Sequence, residues 1–142
     1  MNDVRRISID EASARLAEGF IYVDVRSAEE FESGHPARAL NVPFMHAVQG
    51  TMQPNREFVE VMKRAFPTDT RLVLGCASGT RSAAAATALA AAGFLELLEL
   101  RAGFNGVRDP FGQLVEKGWL AAGLPVSLAS AGTRYADVKQ RT

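Results

Sequence analysis

The sequence contains a single cysteine, Cys76, among its 142 residues. One cysteine cannot form an internal disulfide, and it makes a cysteine-based zinc site implausible. Histidine is nearly as scarce, because His35 and His46 are the only two. A cysteine protease needs a histidine beside its nucleophile. Both histidines fall in predicted loops, where a surface position is the common explanation, and nothing in the sequence brings either to Cys76.

Long apolar runs and an excess of one charge are also absent. No run approaches the ~20 apolar residues of a membrane span, and residues 1–9 lack the apolar stretch of a secretory signal. Sixteen basic residues balance sixteen acidic ones. Whole-molecule charge therefore predicts no nucleic-acid or membrane partner. Together with the free thiol, these absences predict a cytoplasmic protein.

The chain has the length and composition of one globular domain, because 142 residues with 47% apolar content can bury a core without disulfides. Apolar runs and helical patterns alternate, which favours an α/β fold with a parallel sheet covered on both faces. Strands are predicted at residues 7–9, 20–25, 40–42, 71–75 and 95–100, and helices at 10–18, 27–33, 56–65, 82–92 and 111–117. We expect a loop at 44–55 and a loose polar tail at 127–142.

Cys76 follows a predicted buried strand and precedes an alanine-rich helix. Ligands of open parallel sheets bind beyond the carboxyl ends of strands, where this cysteine lies. A tight loop opening into a helix turns several backbone N–H groups inward and forms a nest for an anion. Gly79 can adopt a positive φ there, and Arg81 adds a permanent positive charge. We therefore expect the thiol to ionise readily and the nest to hold a persulfide anion.

Two alternatives remain open from the local pattern. A lone cysteine in a cytosolic protein is usually a small buried apolar residue, whereas this strand-to-helix position with Gly79 and Arg81 favours a functional one. A phosphate-binding P-loop beginning at Gly75 is excluded. It would need glycine and then lysine where Thr80 and Arg81 stand.

Four segments of the chain, taken in order, resemble one family. They are Val23-Asp24-Val25-Arg26 with Glu29-Glu30-Phe31; Gly34-His35 through Asn41-Val42-Pro43; the loop at residues 76–81 with Ser82; and Gly93-Phe94, Ala102-Gly103-Phe104 and Gly123-Leu124-Pro125-Val126. At these spacings they resemble a single-domain rhodanese over residues 7–126. The sequence departs from the family pattern at Pro36-Ala37-Arg38, which replaces isoleucine-proline-glycine and predicts a reshaped turn. It also departs at Ala102, where glycine is common, and at Val107, where tryptophan often stands.

The resemblance implies a rhodanese-like fold, with a five-stranded parallel sheet flanked by helices on both faces in a domain of residues 1–126. It also implies sulfur transfer. The Cys76 thiolate attacks a donor such as thiosulfate, becomes a persulfide, and passes the sulfur to cyanide or a thiol. The expected partners are a small sulfur donor and this acceptor, with a protein acceptor as a further option. We expect no cofactor or metal.

The expected site combines family resemblance with position in the predicted fold. Cys76 is the nucleophile, Asp24 supports the loop, and the substrate-binding set comprises Ala77, Ser78, Gly79, Thr80, Arg81 and Arg26. Arg26 enters the set because it follows a strand end, where it could face an anionic donor. The neutral side chains of Ala77, Ser78 and Thr80 differ from the basic ones of good thiosulfate users.

Two other functions are compatible with the same loop. A persulfide carrier or sensing module would act only with a protein partner, and the neutral loop side chains favour it modestly. A phosphatase or arsenate reductase of similar fold has five residues between cysteine and arginine, enough to surround a tetrahedral oxyanion. Only four residues separate Cys76 from Arg81, which favours sulfur over phosphate chemistry.

Overall fold

The computed structural model of the chain describes residues 4–128 and 131–141. Its strands are β1 (Val4–Ile7), β2 (Ile21–Asp24), β3 (His35–Pro36), β4 (Leu40–Asn41), β5 (Met45–Val48), β6 (Thr51–Pro54), β7 (Arg71–Gly75), β8 (Glu96–Leu100), β9 (Val107–Arg108), β10 (Leu114–Glu116) and β11 (Val126–Ser127). Its helices are α1 (Ile9–Ala17), α2 (Ala28–Glu32), α3 (Phe58–Ala65), α4 (Thr80–Ala91) and α5 (Tyr135–Val138).

A five-stranded parallel sheet in the order β1-β8-β7-β2-β4 forms the centre of the molecule. Along β7, Leu72 and Leu74 face the core that α3 and α4 cover, and Val73 faces the core beneath α1. Successive side chains of a strand point to opposite faces, so this division shows that both faces are buried. The predicted α/β fold is therefore confirmed.

Residues near each helix explain where α2 begins and why α4 packs close to the sheet. In α2, Ser27 accepts from the N–H of Glu30 at 3.3 Å, and Glu30 accepts from the N–H of Ser27 at 3.1 Å. This is the predicted capping box. Helix α4 is rich in alanine, and its fully buried Ala85 and Ala86 let the helix lie close against the sheet.

Three segments differ from the prediction. The first strand, β1, ends at Ile7 and does not run over residues 7–9, because Ser8 caps helix α1 and Ile9 begins it. Residues 44–55 include an antiparallel hairpin of β5 and β6, which turns at Gln49 and Gly50, both at positive φ. The predicted helix at 111–117 is wrong, because β10 pairs with β9 there. Asp109 accepts from the N–H groups of Phe111 and Gln113, and Gly112 has φ +82°, so the chain makes a turn instead of a helix.

The C-terminal segment packs against the domain, in contrast to the loose tail expected from its polarity. Val138 on α5 is 1% exposed and belongs to the main core. The hydroxyl of Tyr135 accepts from the side-chain amide of Asn55 at 3.1 Å. Tyr135 and Val138 are three positions apart and lie on one side of the single turn of α5. A helix this short shows no detectable apolar period in the sequence. The domain boundary at residue 126 stays a prediction.

His35 is buried rather than on the surface, contrary to the sequence expectation. Its ring stacks on Phe31 with 3.7 Å between centroids, and its Nδ1 lies 2.9 Å from the carbonyl oxygen of Phe31. The neighbouring turn carries Arg38 at φ +71°, an unusual value for a residue with a side chain. Within residues 4–128 and 131–141, no helix has the length and apolar character needed to cross a bilayer.

Candidate active site

Cys76 lies at the carboxyl edge of the sheet, directly after the central strand β7. The parallel register pairs Asp24 with Gly75, so the end of β2 reaches the same edge. Gly79 has φ +95° and caps helix α4, which begins at Thr80. The positive φ predicted for Gly79 is present, and the helix begins two residues earlier than expected.

Backbone amides surround the sulfur of Cys76. The N–H groups of Gly79 and Ser82 point at Sγ, with nitrogen-to-sulfur distances of 3.1 and 3.3 Å. The thiol donates to the hydroxyl of Ser82 at 3.3 Å. The first four N–H groups of a helix have no acceptor within it and carry its positive dipole end. Cys76 is only 1% exposed, and its sulfur is nevertheless in contact with three polar groups.

The segment at residues 103–105 packs against the loop and binds its carbonyl groups. The N–H of Phe104 donates to the carbonyl of Cys76 at 2.7 Å, and the N–H of Asn105 donates to that of Ala77 at 2.8 Å. A Cβ on Gly103 would come within 2.6 Å of both carbonyl oxygens. A Cβ on Gly79 would lie 2.2 Å from the carbonyl oxygen of Arg101. Close backbone packing therefore fixes the loop on both sides.

Arg81 is bound to helix α2. Its guanidinium donates to the two carboxylate oxygens of Glu30 at 2.6 and 3.0 Å. This hydrogen bond raises the pKa of Arg81. Burial alone would raise the pKa of Glu30, but the bonds from Arg81 and Ser27 outweigh it and lower the pKa to about 2. The pair stays ionised at neutral pH, so part of the positive charge near Cys76 is already compensated.

Arg26 does not face the solvent side of the loop, contrary to the expectation that it meets the donor. Its side chain is 4% exposed and forms an ion pair with Asp24 at 2.7 Å. It also donates to the carbonyl of Gly34 at 2.7 Å, and its guanidinium lies 4.3 Å from the ring centre of Phe104. Burial beside a carboxylate accounts for this position, and the network ties the end of β2 to its surroundings.

Sequence analysis missed two charged residues beneath the sulfur, Arg6 and Glu99. Ser82 donates from its hydroxyl to Glu99 at 2.5 Å, and Arg6 donates to the other oxygen of the same carboxylate at 2.5 Å. Glu99 is fully buried. The available signal was a glutamate between Leu98 and Leu100 in a buried strand, since a buried carboxylate requires partners.

A cleft of about 480 Å³ borders the exposed side of the loop, where Ser78 and Thr80 line it. Arg101 also lines it and pairs with Glu116 at 2.8 Å. This hydrogen bond raises the pKa of Arg101. Most of the charge around the cleft is therefore paired within the protein, and the loop itself contributes small neutral side chains.

The sequence model of the rhodanese-like domain family matches residues 8–109 of this chain. These residues include β2, the loop after β7 and helix α4. The chain belongs to the rhodanese family. Thiosulfate sulfurtransferase 16, chloroplastic, from Arabidopsis thaliana is 37% identical over 119 residues, which are 84% of this chain and 89% of that protein. Thiosulfate sulfurtransferase GlpE from Ectopseudomonas mendocina is 27% identical over 111 residues, 78% of this chain and 91% of the relative.

Solved structures agree with this rhodanese-like fold. Rv0390 from M. tuberculosis superposes with a TM-score of 0.75 at 25% identity, covering 91% of this chain and all of that one. A thiosulfate sulfurtransferase from Pseudomonas aeruginosa has a TM-score of 0.59 at 22% identity, covering 87% of this chain and 19% of its own. At such low identity the second match supports the fold alone.

Proposed function

We propose that this rhodanese-like domain moves sulfane sulfur from a donor such as thiosulfate to a thiophilic acceptor through a persulfide on Cys76. The observation that carries the proposal is the pair of N–H groups, from Gly79 and Ser82, aimed at Sγ. Amides held in place by packed backbone stabilise a sulfur anion without reorganising, which is what both the thiolate and the persulfide require. The relatives named as thiosulfate sulfurtransferases support this donor.

The reaction has two half-reactions. In the first, the thiolate of Cys76 attacks the outer sulfur of thiosulfate, a sulfur–sulfur bond forms, and sulfite leaves with the electron pair of the broken bond. In the second, the acceptor attacks the outer sulfur of the persulfide and the thiolate is regenerated. With cyanide as acceptor the product is thiocyanate. A covalent intermediate of this kind predicts ping-pong kinetics.

Two further amides are suited to the outer sulfur. Gly79, Thr80, Arg81 and Ser82 occupy the first turn of α4 and its cap, where N–H groups have no acceptor within the helix. Gly79 and Ser82 serve the sulfur of Cys76 itself. In this proposal, the amides of Thr80 and Arg81 receive the outer sulfur of the persulfide.

The test compares the parent protein with C76S after purification without reductant. Each is incubated with thiosulfate and then cyanide, and thiocyanate is measured. We expect thiocyanate with the parent and only background with C76S, whose hydroxyl cannot form a persulfide. Circular dichroism checks that both proteins are folded. Equal activity in the two would refute the mechanism.

A second candidate function is a persulfide carrier that serves only a protein partner. Charge compensation favours it, because Glu30 binds Arg81 and Asp24 binds Arg26. A small dianion such as thiosulfate then finds little uncompensated positive charge near the loop. Intact mass distinguishes the two functions. A carrier gains the mass of one sulfur on Cys76 but turns over thiosulfate and cyanide negligibly, whereas rapid turnover argues against a carrier alone.

The proposal leaves the cellular setting as predicted from sequence. A cytoplasmic location keeps the thiol of Cys76 reduced between cycles. The arrangement also fits a protein acceptor, because Ser78 and Thr80 are exposed on the loop and a partner's thiol can approach along them. In this proposal Arg26 anchors the end of β2 and does not contact the donor.

A further inference from the structure

A fully buried carboxylate lies beneath the reactive sulfur, and the transfer reaction described above does not use it. Glu99 on β8 accepts from the hydroxyl of Ser82 and from the guanidinium of Arg6, each at 2.5 Å. Ser82 in turn accepts from the thiol of Cys76 at 3.3 Å. The three groups form a continuous chain of hydrogen bonds from sulfur to carboxylate.

Strand register explains why these hydrogen-bonded groups lie close together. The parallel pairing of β1 with β8 sets Arg6 opposite Glu99, and the pairing of β7 with β8 sets Leu74 opposite Glu99. Cys76 follows Leu74 by two residues, so the carboxylate lies just below the loop. Ser82 is on the first turn of α4, which packs on this face, and its side chain bridges the gap.

The direction of the hydrogen bonds from Cys76 to Glu99 depends on the protonation state of the sulfur. A serine hydroxyl has one proton and two acceptor lone pairs. While Ser82 donates to Glu99, it can only accept from sulfur, which suits the neutral thiol. A thiolate instead needs Ser82 to donate to sulfur. Glu99 must then supply a proton to the oxygen of Ser82, and therefore must be protonated.

We infer that Glu99 takes up, through Ser82, the proton that the thiol of Cys76 loses when it becomes the nucleophile. The S–H bond breaks as the sulfur proton moves to Oγ of Ser82, and the former hydroxyl proton of Ser82 moves to Oε1 of Glu99. No electrons are exchanged with another molecule, and the net charge of the site is unchanged. The inference rests on the proposed function, which requires this thiolate.

Glu99 is on this account a positioning residue, because it acts on the sulfur only through Ser82. Other charged or titratable groups also face the sulfur and the carboxylate. They are Arg6 from β1, Tyr22, Asp24 and Arg26 from β2 and its end, Arg81 with its partner Glu30, and Arg101 with Glu116. Burial raises the pKa of Tyr22 well above its ordinary value, so it stays neutral. All of these groups are retained when Glu99 alone is changed.

The test measures how fast iodoacetamide alkylates Cys76 as a function of pH, without any sulfur donor. In E99Q the side-chain amide cannot take up the sulfur proton, so the thiol must lose its proton to solvent. We expect alkylation about tenfold slower than in the parent near about pH 6, with the two rates converging above about pH 9, where solvent removes the proton in both proteins. E116Q removes a carboxylate of the same neighbourhood that has no bond to Ser82, and it should keep the parent profile.

A double-mutant cycle separates the relay from the loss of a charge. If Glu99 acts through Ser82, the tenfold effect of E99Q falls to less than about twofold when it is introduced into S82A. An undiminished effect in S82A would overturn the inference, because Glu99 would then act on the sulfur without Ser82. Faster alkylation of E99Q would overturn it too, because loss of the negative charge alone predicts that result. A parent-like pH profile for E99Q would overturn it as well.

If E99Q does not fold, the comparison moves to Ser82. S82A loses the donor to the thiolate and should react several-fold slower near about pH 6, whereas S82T keeps a hydroxyl and should restore much of the rate that S82A loses. Identical profiles for all three proteins would contradict the relay. Because alkylation needs no sulfur transfer, this result stands apart from the thiocyanate assay, and either one can fail alone.

Discussion

Arg81 and Glu30 are joined by two hydrogen bonds, 2.6 and 3.0 Å long, between the start of α4 and the short helix α2. The arginine that ends the loop after Cys76 therefore has a fixed partner within the protein. The pair links the helix beginning at the sulfur site to the strand end that carries Asp24 and Arg26. Its charge state consequently affects both the stability of the fold and the potential at Cys76.

This pair predicts a loss of stability in acid. The pKa of Glu30 is about 2 in the folded protein against an ordinary 4.5. A lowered pKa contributes stability that is complete above about pH 4.5 and is lost as the pH falls through about 2. Linkage gives at most about 3 kcal/mol, and solvent screening reduces this because the side chain is 32% exposed.

E30Q removes that contribution, so its free energy of unfolding in urea should depend less on pH between about 4.5 and about 2. E32Q is the matched control, because Glu32 lies on the same helix in a more exposed pair with Arg134. We expect the curve for E32Q to run parallel to that of the parent. Parallel curves for E30Q and the parent would contradict the assignment.

D24N should destabilise the protein strongly. The substitution leaves Arg26, 4% exposed, without its counter-charge. Breaking a buried ion pair by removing one partner costs about 3–5 kcal/mol. Urea unfolding measures the cost, and D69N, at an exposed loop position, is the control. A loss below about 1 kcal/mol in D24N would mean that the pair does not anchor the strand end.

G79A should disrupt the sulfur nest. Gly79 has φ +95°, and an added Cβ would lie 2.2 Å from the backbone oxygen of Arg101. Gly50 also has a positive φ, +78°, but open space around it. We therefore expect G50A to cost about 1 kcal/mol, whereas G79A costs more than about 2 kcal/mol and loses thiocyanate formation. Equal costs for the two variants would argue that the loop can rearrange freely.

V138A tests the packing of the C-terminal helix. Val138 is 1% exposed in the main core, and Leu128 is 71% exposed. Truncating the buried valine should lower the free energy of unfolding by about 1–3 kcal/mol, while L128A should change it by less than about 0.5 kcal/mol. If the two variants are equally stable, the segment does not contribute to the core in solution.

S78K tests whether missing positive charge limits the use of thiosulfate. Ser78 is exposed beside the reactive loop, and Ala84 is exposed farther along α4. A lysine at position 78 should lower the KM for thiosulfate several-fold, because it attracts the dianion, whereas A84K adds the same charge with a smaller effect. Steady-state kinetics at low ionic strength provides the measurement. Similar KM values in both variants would contradict a local effect.

The elements that were predicted correctly are recognisable from residues that are close together in the sequence. The run at residues 71–75, the turn after it and the alanine-rich helix are contiguous, and each has its own signal of period, glycine or propensity. The capping box of Ser27 and Glu30 is equally local. The signals for such features lie within a few residues of the features themselves, so a single sequence suffices to predict them.

The missed features depend on residues that are far apart in sequence. Arg6 and Glu99 meet across 93 positions, and Glu30 and Arg81 across 51. Only strand order and register bring each pair together, and neither can be read from a local pattern. The expectation that Arg26 faces an anionic donor missed its burial for a related reason, since its guanidinium lies over the ring of the distant Phe104.

The groups that hold the sulfur belong mainly to the main chain, which every amino acid possesses. Gly79 and Gly103 are constrained by tight backbone contacts, whereas Ser78 and Thr80 project outward and are free to change. In the proposed reaction, substitutions at the outward positions change which donor or acceptor is accepted and leave the amides at the sulfur in place. We therefore expect substitutions to be tolerated at Ser78 and Thr80, on the exposed side of the loop, and not at Gly79 and Gly103, where the backbone contacts are tight.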